Sequence, residues 1–319
     1  MTFVHDDRDF ADLLRQAASD RRLSVGLIEK DYWVTHALWA LQDQGFDIWF
    51  KGGTSLSKGF GLIERFSEDL DLKIESGRTT LPRVANWKSE GTRAVAERRA
   101  YFEALADLFL VPGAFVSLDP DSSDPTWRAG NLRVVYPGVA LGDLAGILKP
   151  FVLLEVGHAR VTPSVARDLT SFVHATLEQL GQSSAFTDNR PRGVRCVHPL
   201  VTLLEKLDAL HRRVPSERIA PATFVRHFED AARIILSEKK LPALEGYVDV
   251  SALATDMLDQ RQIATLPTAD DPAFALARGE RTEAIRDAHR AIAPVFWGKR
   301  ISLEDACREI RRWIKQWFG

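Results

Sequence analysis

The sequence is poor in cysteine and has no long apolar segment. Only Cys196 and Cys307 occur among the 319 residues, in unrelated contexts, so neither a disulfide framework nor a zinc site is expected. The longest apolar runs are far too short to cross a bilayer, which predicts a protein without a membrane partner. The N-terminus lacks the basic-then-apolar pattern of a signal peptide. A cytoplasmic location is therefore expected.

A large excess of charge of either sign is also missing. The 42 Lys and Arg residues nearly balance the 44 Asp and Glu residues, which leaves a formal net charge of −2. This balance argues against indiscriminate coating of nucleic acid but is compatible with a local basic groove. The length predicts one or two domains. Nothing in the sequence predicts an oligomeric state.

The stretch 51–73 begins with a glycine turn. Residues 48–50 read as a short buried strand, and Gly52 and Gly53 then allow a tight turn that a side chain would obstruct. Lys51 lies just before the turn, where its ammonium group could either approach a phosphate or extend into water.

A short helix and two aspartates follow the turn. Thr54 and Ser55 are good N-caps for a helix over 56–64. Side chains alternate along a strand, so Asp69 and Asp71 are predicted to share one face. Two such carboxylates repel each other unless a cation such as Mg²⁺ lies between them.

Backbone N–H groups at a glycine turn and a helix N-terminus attract phosphate. A phosphate cradle followed by a pair of carboxylates is the arrangement of a phosphoryl-transfer site. The alternative is an exposed hairpin with a solvated acidic edge. The ordered combination favours the chemical interpretation.

This order of features resembles the nucleotidyltransferase fold shared by DNA polymerase β-type enzymes. The fuller pattern, Lys51-Gly-Gly-Thr-Ser with Arg65-Phe-Ser-Glu-Asp-Leu-Asp-Leu, resembles the AbiEii/AbiGii toxin family, which includes the MenT-type toxins. The resemblance implies an α+β fold, in which a nucleotidyltransferase domain with a mixed β-sheet flanked by helices precedes a mostly helical C-terminal domain. It also implies that Ser67 is an active-site hydroxyl. Arg65 would orient the carboxylates or the triphosphate, or else form a structural ion pair.

The motif Glu29-Lys30-Asp31-Tyr32 also resembles the family's N-terminal pattern. Lys30 would approach the active site or a phosphate, or form a solvated ion pair with Glu29 or Asp31.

Glu155 interrupts a nearly continuous apolar run over 150–156 that predicts a buried strand. A carboxylate there needs a partner or a metal. Polymerase β-type enzymes carry a third acidic residue on a neighbouring strand, and the resemblance makes Glu155 the candidate for this third metal ligand. The alternative is a buried ion pair with Arg160 or Lys149.

Three other features of the sequence have no predicted catalytic role. Residues 83–109 read as a helix whose arginines, including Arg98, form a solvated face more readily than an RNA contact. His158 is interpreted as structural. Residues 142–146 read as a connection.

A polar connector over 181–192 predicts a domain boundary, with one domain over 1–190 and a second over 191–319. The helix predicted over 197–213 has a leucine stripe, and Lys206 lies at its edge. A surface ion pair of Lys206 with Glu205 or Asp208 is the interpretation from the residues alone.

The family resemblance changes the reading of Lys206. The segment around it looks like the family's lysine motif, which implies a role in nucleotide binding and catalysis. Arg212 and Arg213 would bind phosphates of the nucleotide or of RNA.

Arg226-His-Phe-Glu-Asp230 is similar to the family's Arg-Asp/His-x-x-Asp motif, so the resemblance gives Asp230 an essential acidic role and makes Arg226 a nucleotide-binding candidate. The alternative is a surface pair between Arg226 and Asp230.

Taken together, the resemblance implies the toxin of a toxin–antitoxin pair, with a cognate antitoxin as partner. It would transfer a nucleotide from an NTP to RNA, at the 3′ end of tRNA, with Mg²⁺ or Mn²⁺ as cofactor. Asp69 and Asp71 would hold the metal. The triphosphate would be cradled by Gly52, Gly53, Thr54 and Ser55, and Lys206, positioned by Asp230, would stabilise its charge; Asp230 could instead handle the acceptor.

Two other functions remain open. The acceptor could be a small molecule, such as an aminoglycoside, or a protein side chain. The chain could also be an inactive binding module that keeps the fold, although intact Asp69, Asp71 and Lys206 argue against that interpretation.

Overall fold

The computed structural model describes residues 1–67, 69–119, 124–140, 142 and 149–319. The chain divides into two compact units. Unit 1 comprises Met1–Gly59, Ser67–Val161 and Ala166–Cys196, and unit 2 comprises Phe60–Phe66, Thr162–Val165 and Val197–Gly319. The sequence pattern did not indicate the two short segments that unit 2 takes from the first two-thirds of the chain. Of the connection predicted over 142–146, only Gly142 is among the described residues.

The described residues form a seven-stranded mixed sheet. The strands are β1 (Asp47–Lys51), β2 (Asp69–Glu75), β3 (Phe115–Leu118), β4 (Ala129–Val135), β5 (Val152–Gly157), β6 (Ser164–Arg167) and β7 (Val194–Val197). Their order is β3-β4-β5-β2-β1-β7-β6. Strand β2 pairs antiparallel with β1 and parallel with β5, while β1 pairs parallel with β7. The predicted α+β class with a mixed sheet is confirmed.

Unit 1 also contains five of the described helices, which are α1 (Phe10–Arg21), α2 (Val25–Asp43), α3 (Gly52–Lys58), α4 (Thr92–Leu108) and α5 (Phe172–Gln179). Helix α2 begins where predicted, because the Ser24 hydroxyl accepts a hydrogen bond from the Leu27 N–H. Its first turns are buried on every side, including the charged residues Glu29, Lys30 and Asp31. These three charges must therefore be satisfied inside the protein.

Strand β2 shows the predicted alternation. Leu70, Leu72 and Ile74 are buried on one face, while Asp69 and Asp71 are half-buried on the other. The face with the aspartates is the face available for chemistry.

The prediction that Thr54 and Ser55 cap a helix is wrong. Helix α3 already begins at Gly52, and both residues lie inside it with buried side chains. The Thr54 hydroxyl is directed to the carbonyl oxygens of Ser67, at 3.0 Å, and Asp69, at 2.7 Å. A tertiary hydrogen bond to the start of β2 thus takes the place of a local cap.

The helix predicted over 83–109 is shorter than expected, because α4 begins only at Thr92. The prediction of a solvated face is wrong for Arg98, which is fully buried. Its guanidinium donates to the carbonyl oxygens of Asn86, Trp87, Ser89 and Thr126, at 2.9–3.3 Å. Arg98 therefore holds the preceding loop against α4.

A buried network of neutral polar groups lies beside α2. Asn189 donates to the Tyr32 hydroxyl at 3.0 Å and contacts Nδ1 of His36 at 2.8 Å. Its carbonyl oxygen lies 2.8 Å from Nε2 of His174. The Tyr32 hydroxyl also lies 2.6 Å from Nδ1 of His5. Burial lowers the pKa of His36 to about 3 and that of His174 to about 4, so both imidazoles are neutral near pH 7.

Unit 2 is mostly helical. Its helices are α6 (Pro199–Arg213), α7 (Arg226–Leu236), α8 (Val250–Asp259), α9 (Pro272–Ala275), α10 (Glu280–Ala291) and α11 (Leu303–Phe318). The leucine stripe predicted for α6 is confirmed as core, and Ile310, Trp313 and Ile314 of α11 are buried as well. None of the helices in the described part of the chain is long and apolar enough to span a bilayer.

The short segment of residues 60–66 is held in unit 2 by backbone hydrogen bonds. The Phe66 N–H donates to the carbonyl oxygen of Val295 at 2.8 Å, and the Trp297 N–H donates to that of Glu64 at 3.0 Å. Arg65 and Phe296 form the β-bridge between these two contacts. This pairing positions Arg65 among the helices of unit 2.

Candidate functional site

A row of polar side chains crosses four strands of the sheet in unit 1. Asp71 on β2 lies opposite Lys51 on β1 and opposite Glu155 on β5, and Glu155 in turn lies opposite Asn131 on β4. Directly paired residues have Cβ atoms about 5 Å apart on the same face of a sheet. We call Lys51, Asp71, Glu155 and Asn131 the polar row. Sequence reasoning missed Asn131, because no local pattern distinguishes it from other strand residues.

The glycine turn lies directly against Asp71. Gly52 has a φ of +73°, and a Cβ added to it would lie 1.7 Å from Oδ2 of Asp71. Only glycine adopts this conformation at little cost and leaves room for the carboxylate. The turn and the aspartate, predicted separately from the sequence, therefore form one structural unit.

Asp69 lies on the same face of β2, two residues before Asp71. Nζ of Lys149 is 3.4 Å from its Oδ1, and the Lys149 carbonyl oxygen accepts a hydrogen bond from Nζ of buried Lys30 at 2.7 Å. Lys30 is fully buried, so the predicted solvated ion pair with Glu29 or Asp31 is wrong. Instead it anchors the residue whose side chain reaches Asp69. Lys149, predicted as a partner of Glu155, contacts Asp69, and its positive charge also acts on Glu155.

The other two charges of the Glu29-Lys30-Asp31 motif also bind distant parts of unit 1. The Glu29 carboxylate accepts hydrogen bonds from the N–H groups of Val139 and Ala140, at 2.8 and 3.0 Å. Asp31 pairs with Lys58 at the end of α3, at 2.5 Å. The buried motif therefore supports the segments around the polar row.

Carboxylates crowd the centre of this face. Loss of hydration, together with the negative charges of Asp71 and Asp69 and a hydrogen bond with Asp71, raises the pKa of Glu155 to about 7. The predicted buried strand is confirmed for its apolar residues, whereas the Glu155 side chain keeps an exposed surface. Its neighbours Leu153 and Leu154 are buried, but its own side chain points out of the sheet beside Asp71.

The acid groups have the chemistry that Mg²⁺ requires. Mg²⁺ is held by one or two carboxylates, with water and substrate phosphates completing its shell. Asp69 and Asp71 supply such a pair, and crowded carboxylates gain when a cation reduces their repulsion. Within the described ranges, no group of three or more His, Cys, Asp or Glu side chains is close enough to hold a metal on its own. The fit is therefore to a hard ion that brings its own oxygen ligands.

Among the hydroxyls near the site, that of Thr54 is occupied by the fold. Thr54 is directed to backbone carbonyls, and Ser55 is buried beside the Cys196 thiol. Ser67 is half-buried and precedes β2, and its carbonyl oxygen accepts the hydrogen bond from Thr54. Because the Thr54 hydroxyl is occupied, the backbone N–H groups of the turn are better candidates than Thr54 for contact with phosphate.

A second cluster lies in unit 2 and consists of Arg65, Asp230 and Lys206. The Arg65 guanidinium binds the Asp230 carboxylate in a bidentate pair, with both N–O distances at 2.7 Å. Nζ of Lys206 lies 2.8 Å from Oδ2 of Asp230. All three side chains are buried. We call these residues the ion triad.

The ion triad replaces the surface pairs that the residues alone suggested. Lys206 does not pair with Asp208, which instead pairs with Arg212 at 2.7 Å. Asp230 binds Arg65 and Lys206 and is buried, so it is not in a surface pair with Arg226. The alternative for Arg65, a structural ion pair, matches what the structure shows.

The electrostatics of the ion triad depend on this close pairing. Burial alone would raise the pKa of Asp230, but the charges of Arg65 and Lys206 hold it well below its ordinary range. Burial lowers the pKa of Lys206, and Asp230 opposes that effect. Burial and the charge of Lys206 also lower the pKa of His227, whose Nδ1 lies 3.3 Å from Nζ of Lys206.

Further cations surround this cluster. Arg213 and Arg226 are half-buried, and the positive charges of both contribute to the lowered pKa of His227. With two cations and one carboxylate, the ion triad itself carries an excess positive charge. Such a centre suits an anionic ligand.

A mixed sheet carrying paired carboxylates beside a glycine turn defines a class of protein, the nucleotidyltransferases. Residues 37–302 match the model of the family described as "Nucleotidyl transferase AbiEii toxin, Type IV TA system". The chain belongs to this family, so the prediction from the motifs is confirmed. A type IV toxin–antitoxin system includes an antitoxin as the counterpart of the toxin. The matched range begins after Glu29-Lys30-Asp31-Tyr32.

Among solved structures, this chain is similar to a toxin of known structure. MenT4, a nucleotidyltransferase toxin from Mycobacterium tuberculosis H37Rv, is similar over 97% of this chain and 99% of its own, with 18% identity and a TM-score of 0.49. No match was found among curated proteins.

Proposed function

We propose that the protein transfers a nucleotide from an NTP to an RNA acceptor, the 3′ end of tRNA, and thereby blocks translation. The carrying observation is the contact of the Asp71 carboxylate with the Gly52 turn, beside Glu155 on the next strand. A phosphate bound at the turn would lie next to carboxylates suited to Mg²⁺ or Mn²⁺. Since NTP and tRNA are cytoplasmic, the proposal also places the protein there.

In unit 1, different residues would bind the triphosphate and the metal. Backbone N–H groups at Gly52 and Gly53 would bind the triphosphate, with Lys51 opposite Asp71 adding positive charge. Asp69 and Asp71 would hold the metal, whose charge would offset that on the transferring phosphoryl group. Glu155 would either serve as a third ligand or accept a proton. Ser67, before β2, is the candidate hydroxyl near these acids.

The transfer itself is a single displacement. The acceptor hydroxyl oxygen forms a bond to the α-phosphorus, while the bond from the α-phosphorus to the bridging oxygen breaks. Pyrophosphate leaves with that electron pair, and the hydroxyl proton passes to a carboxylate oxygen of Glu155 or, where Glu155 binds the metal, to water. Positioning and electrostatic stabilisation supply most of the catalysis in such reactions.

Residues of unit 2 would stabilise charge, position Lys206 and bind phosphates. Lys206 would stabilise charge that develops on the triphosphate. Asp230 would position Lys206, in keeping with the 2.8 Å contact between them. Arg65 would act as a positioning residue through Asp230, while Arg213 and Arg226 would bind phosphates of the nucleotide or RNA.

The test is incubation of the full chain with total tRNA, Mg²⁺ and each labelled NTP in turn. Incorporation into tRNA by the wild type, lost in Asp69→Asn and Asp71→Asn, would support the proposal and identify the nucleotide. Asp43→Asn, at an exposed acid of the same unit, is the matched control and should stay active. Absence of label in tRNA with all four nucleotides would rule out the tRNA assignment and direct the search to small molecules and protein side chains.

A further inference from the structure

Two cations lie beside the carboxylates of the sheet in unit 1, on the side of β5. Arg133 on β4 is paired with Leu153 on β5, which in turn is paired with Asp69 on β2. Because directly paired residues share one face of a sheet, Arg133 lies on the same face as Asp69. Lys149 precedes β5, and its Nζ lies 3.4 Å from Oδ1 of Asp69. We call Arg133 and Lys149 the cation pair.

The Arg133 guanidinium is held in place by two neighbours. Its Nη2 lies 2.8 Å from Oδ1 of buried Asp119, and its central carbon lies 5.0 Å from the centre of the Phe151 ring. In the described part of the chain, the contact with Asp119 is the only hydrogen bond of the guanidinium, which has five N–H donors. The side chain remains 38% exposed. A fixed, accessible guanidinium with further donors suits a phosphate group, and binding costs it little entropy.

Lys149 is also accessible, and its backbone is anchored. Its side chain is 42% exposed, and its carbonyl oxygen accepts a hydrogen bond from Nζ of buried Lys30 at 2.7 Å. Its positive charge opposes the rise in the pKa of Glu155. Lys149 therefore acts on carboxylates of both β2 and β5.

The sheet order places the cation pair and the glycine turn on opposite sides of β2. The turn follows β1, which is one neighbour of β2, whereas β5 and then β4 lie on the other side. Strands are about 4.8 Å apart and residues rise about 3.3 Å, so Arg133 lies roughly 8 Å from Glu155 on the same face. Attacking and leaving oxygens lie in line in phosphoryl transfer. With pyrophosphate leaving towards the turn, the attacking hydroxyl would approach from the side of the cation pair.

We propose that the cation pair binds the backbone phosphate next to the acceptor hydroxyl of the RNA. The inference rests on the proposed function, because it assumes that pyrophosphate leaves towards the glycine turn. A phosphate held by the cation pair would bring the 3′ end of the acceptor to Asp71 and Glu155. Phosphate contacts fix position and carry no base sequence, so the contact would serve any RNA sequence equally. The triphosphate of an NTP offers the same anionic chemistry, and the experiment separates these two sources.

The experiment measures affinities of the full chain in Mg²⁺ without catalysis. A fluorescein-labelled RNA oligonucleotide with a free 3′ hydroxyl is titrated without NTP, and each NTP is titrated without RNA. Lys149→Gln should weaken RNA binding roughly three- to tenfold and reduce the slope of log K against log salt by about 0.7, because one phosphate contact of a single strand is lost. NTP binding should not weaken. Lys88→Gln, at an exposed lysine in the loop before α4, is the matched control and should behave as wild type.

A modified RNA tests which phosphate is bound. An oligonucleotide whose last phosphodiester is replaced by a neutral methylphosphonate should bind the wild type about as weakly as unmodified RNA binds Lys149→Gln. The same replacement should cost the variant little further affinity, because the lysine and the phosphate belong to one contact. A methylphosphonate near the 5′ end is the control. Arg133→Gln should act in the same direction, and Lys149→Gln decides the matter if Arg133→Gln fails to fold without the partner of Asp119.

Unchanged RNA affinity in folded Lys149→Gln would overturn the inference. Loss of NTP affinity in place of RNA affinity would assign the cation pair to the triphosphate and overturn it as well. If the 3′ methylphosphonate weakens the variant as much as the wild type, the contact lies at another phosphate and the inference is wrong. If the wild type binds no RNA, the inference fails, while label transfer to another acceptor, lost in Asp71→Asn, would show that the nucleotidyltransferase activity stands.

Discussion

We call the sheet face of unit 1 that carries Asp69, Asp71 and Glu155 the acidic face. On this face like charges are neighbours, whereas in the ion triad of unit 2 opposite charges are neighbours. Asp69, Asp71 and Glu155 place carboxylates side by side on a partly exposed sheet face, and the pKa of Glu155 rises as a result. In the ion triad, two cations bind one buried carboxylate, and the pKa of Asp230 falls. The first arrangement gains from an added cation, whereas the second holds one carboxylate between two cations and keeps an excess positive charge. This contrast separates a face suited to a metal ion from a buried cluster suited to an anionic ligand.

The largest effect is expected on the acidic face, from Asp71→Asn. Removing one metal-binding carboxylate should slow nucleotide transfer roughly a hundred- to ten-thousandfold, because metal stabilisation of the transition state contributes several kcal/mol. The melting temperature should not fall, since the change also removes repulsion between like charges. Label transfer and thermal melting, measured on the same preparation, test both parts. A large drop in melting temperature would mean that the acids serve the fold.

In the ion triad, removing the carboxylate should destabilise the fold, in contrast to Asp71→Asn. Asp230→Asn leaves Arg65 and Lys206 buried without their carboxylate and should lower the free energy of unfolding by about 3–5 kcal/mol. Urea denaturation measures this loss, with exposed Asp259→Asn as the control in the same unit. The double variant Arg65→Met with Asp230→Leu should recover part of the loss, because it removes two buried charges together. A single variant as stable as wild type would refute the description of the triad as a closed ion cluster.

Gly52→Ala tests how closely the acidic face depends on its turn. The new Cβ would overlap the Asp71 carboxylate at 1.7 Å, so activity should fall sharply along with stability. Gly181→Ala is the matched control, since Gly181 has a φ of +69° but nothing within 4 Å of an added Cβ. The control should lose only about 1–2 kcal/mol of stability, the backbone cost of a left-handed residue, and no activity. Equal losses of activity in the two variants would show that the contact with Asp71 is irrelevant.

The smallest effect concerns pH and the neutral histidine network of unit 1. His36 and His174 have pKa values of about 3 and 4 in the folded protein, below the ordinary 6.5. Below pH 6.5 the unfolded chain therefore binds more protons than the folded one, and the free energy of unfolding falls as the pH is lowered. Each histidine contributes up to about 1.4 kcal/mol per pH unit between 6.5 and its folded pKa.

Urea denaturation at pH 8, 7, 6 and 5 measures this dependence. His174→Gln should reduce its slope between pH 6.5 and 5, because one of the histidines whose pKa is lowered in the fold no longer titrates. The ionised Asp230 acts in a different range, since its stabilisation is lost only as the pH falls below about 3.8, the ordinary value for aspartate. An unchanged slope in His174→Gln would show that His174 does not remain neutral in the fold.

Local patterns predicted much of the acidic face. The shared face of Asp69 and Asp71 follows from the alternation of a strand, and the start of α2 follows from the Ser24 cap. The errors came where tertiary contacts overrode local preference. Thr54 is a good N-cap by type, yet its hydroxyl is directed to carbonyl oxygens at the start of β2. Arg98 looked like part of a solvated face, yet it holds a loop from inside.

The sequence by itself determined the parts whose geometry is set within a few residues, which are the glycine turn, the paired aspartates and the leucine stripe of α6. Only the tertiary structure decided that Glu155 lies beside Asp71, that Arg65 binds Asp230, and that Trp87 stacks on His158. Side-chain periodicity within one element is a property of its backbone and can be read locally. Contacts between residues 71 to 165 positions apart depend on strand order and packing, which the whole chain settles together.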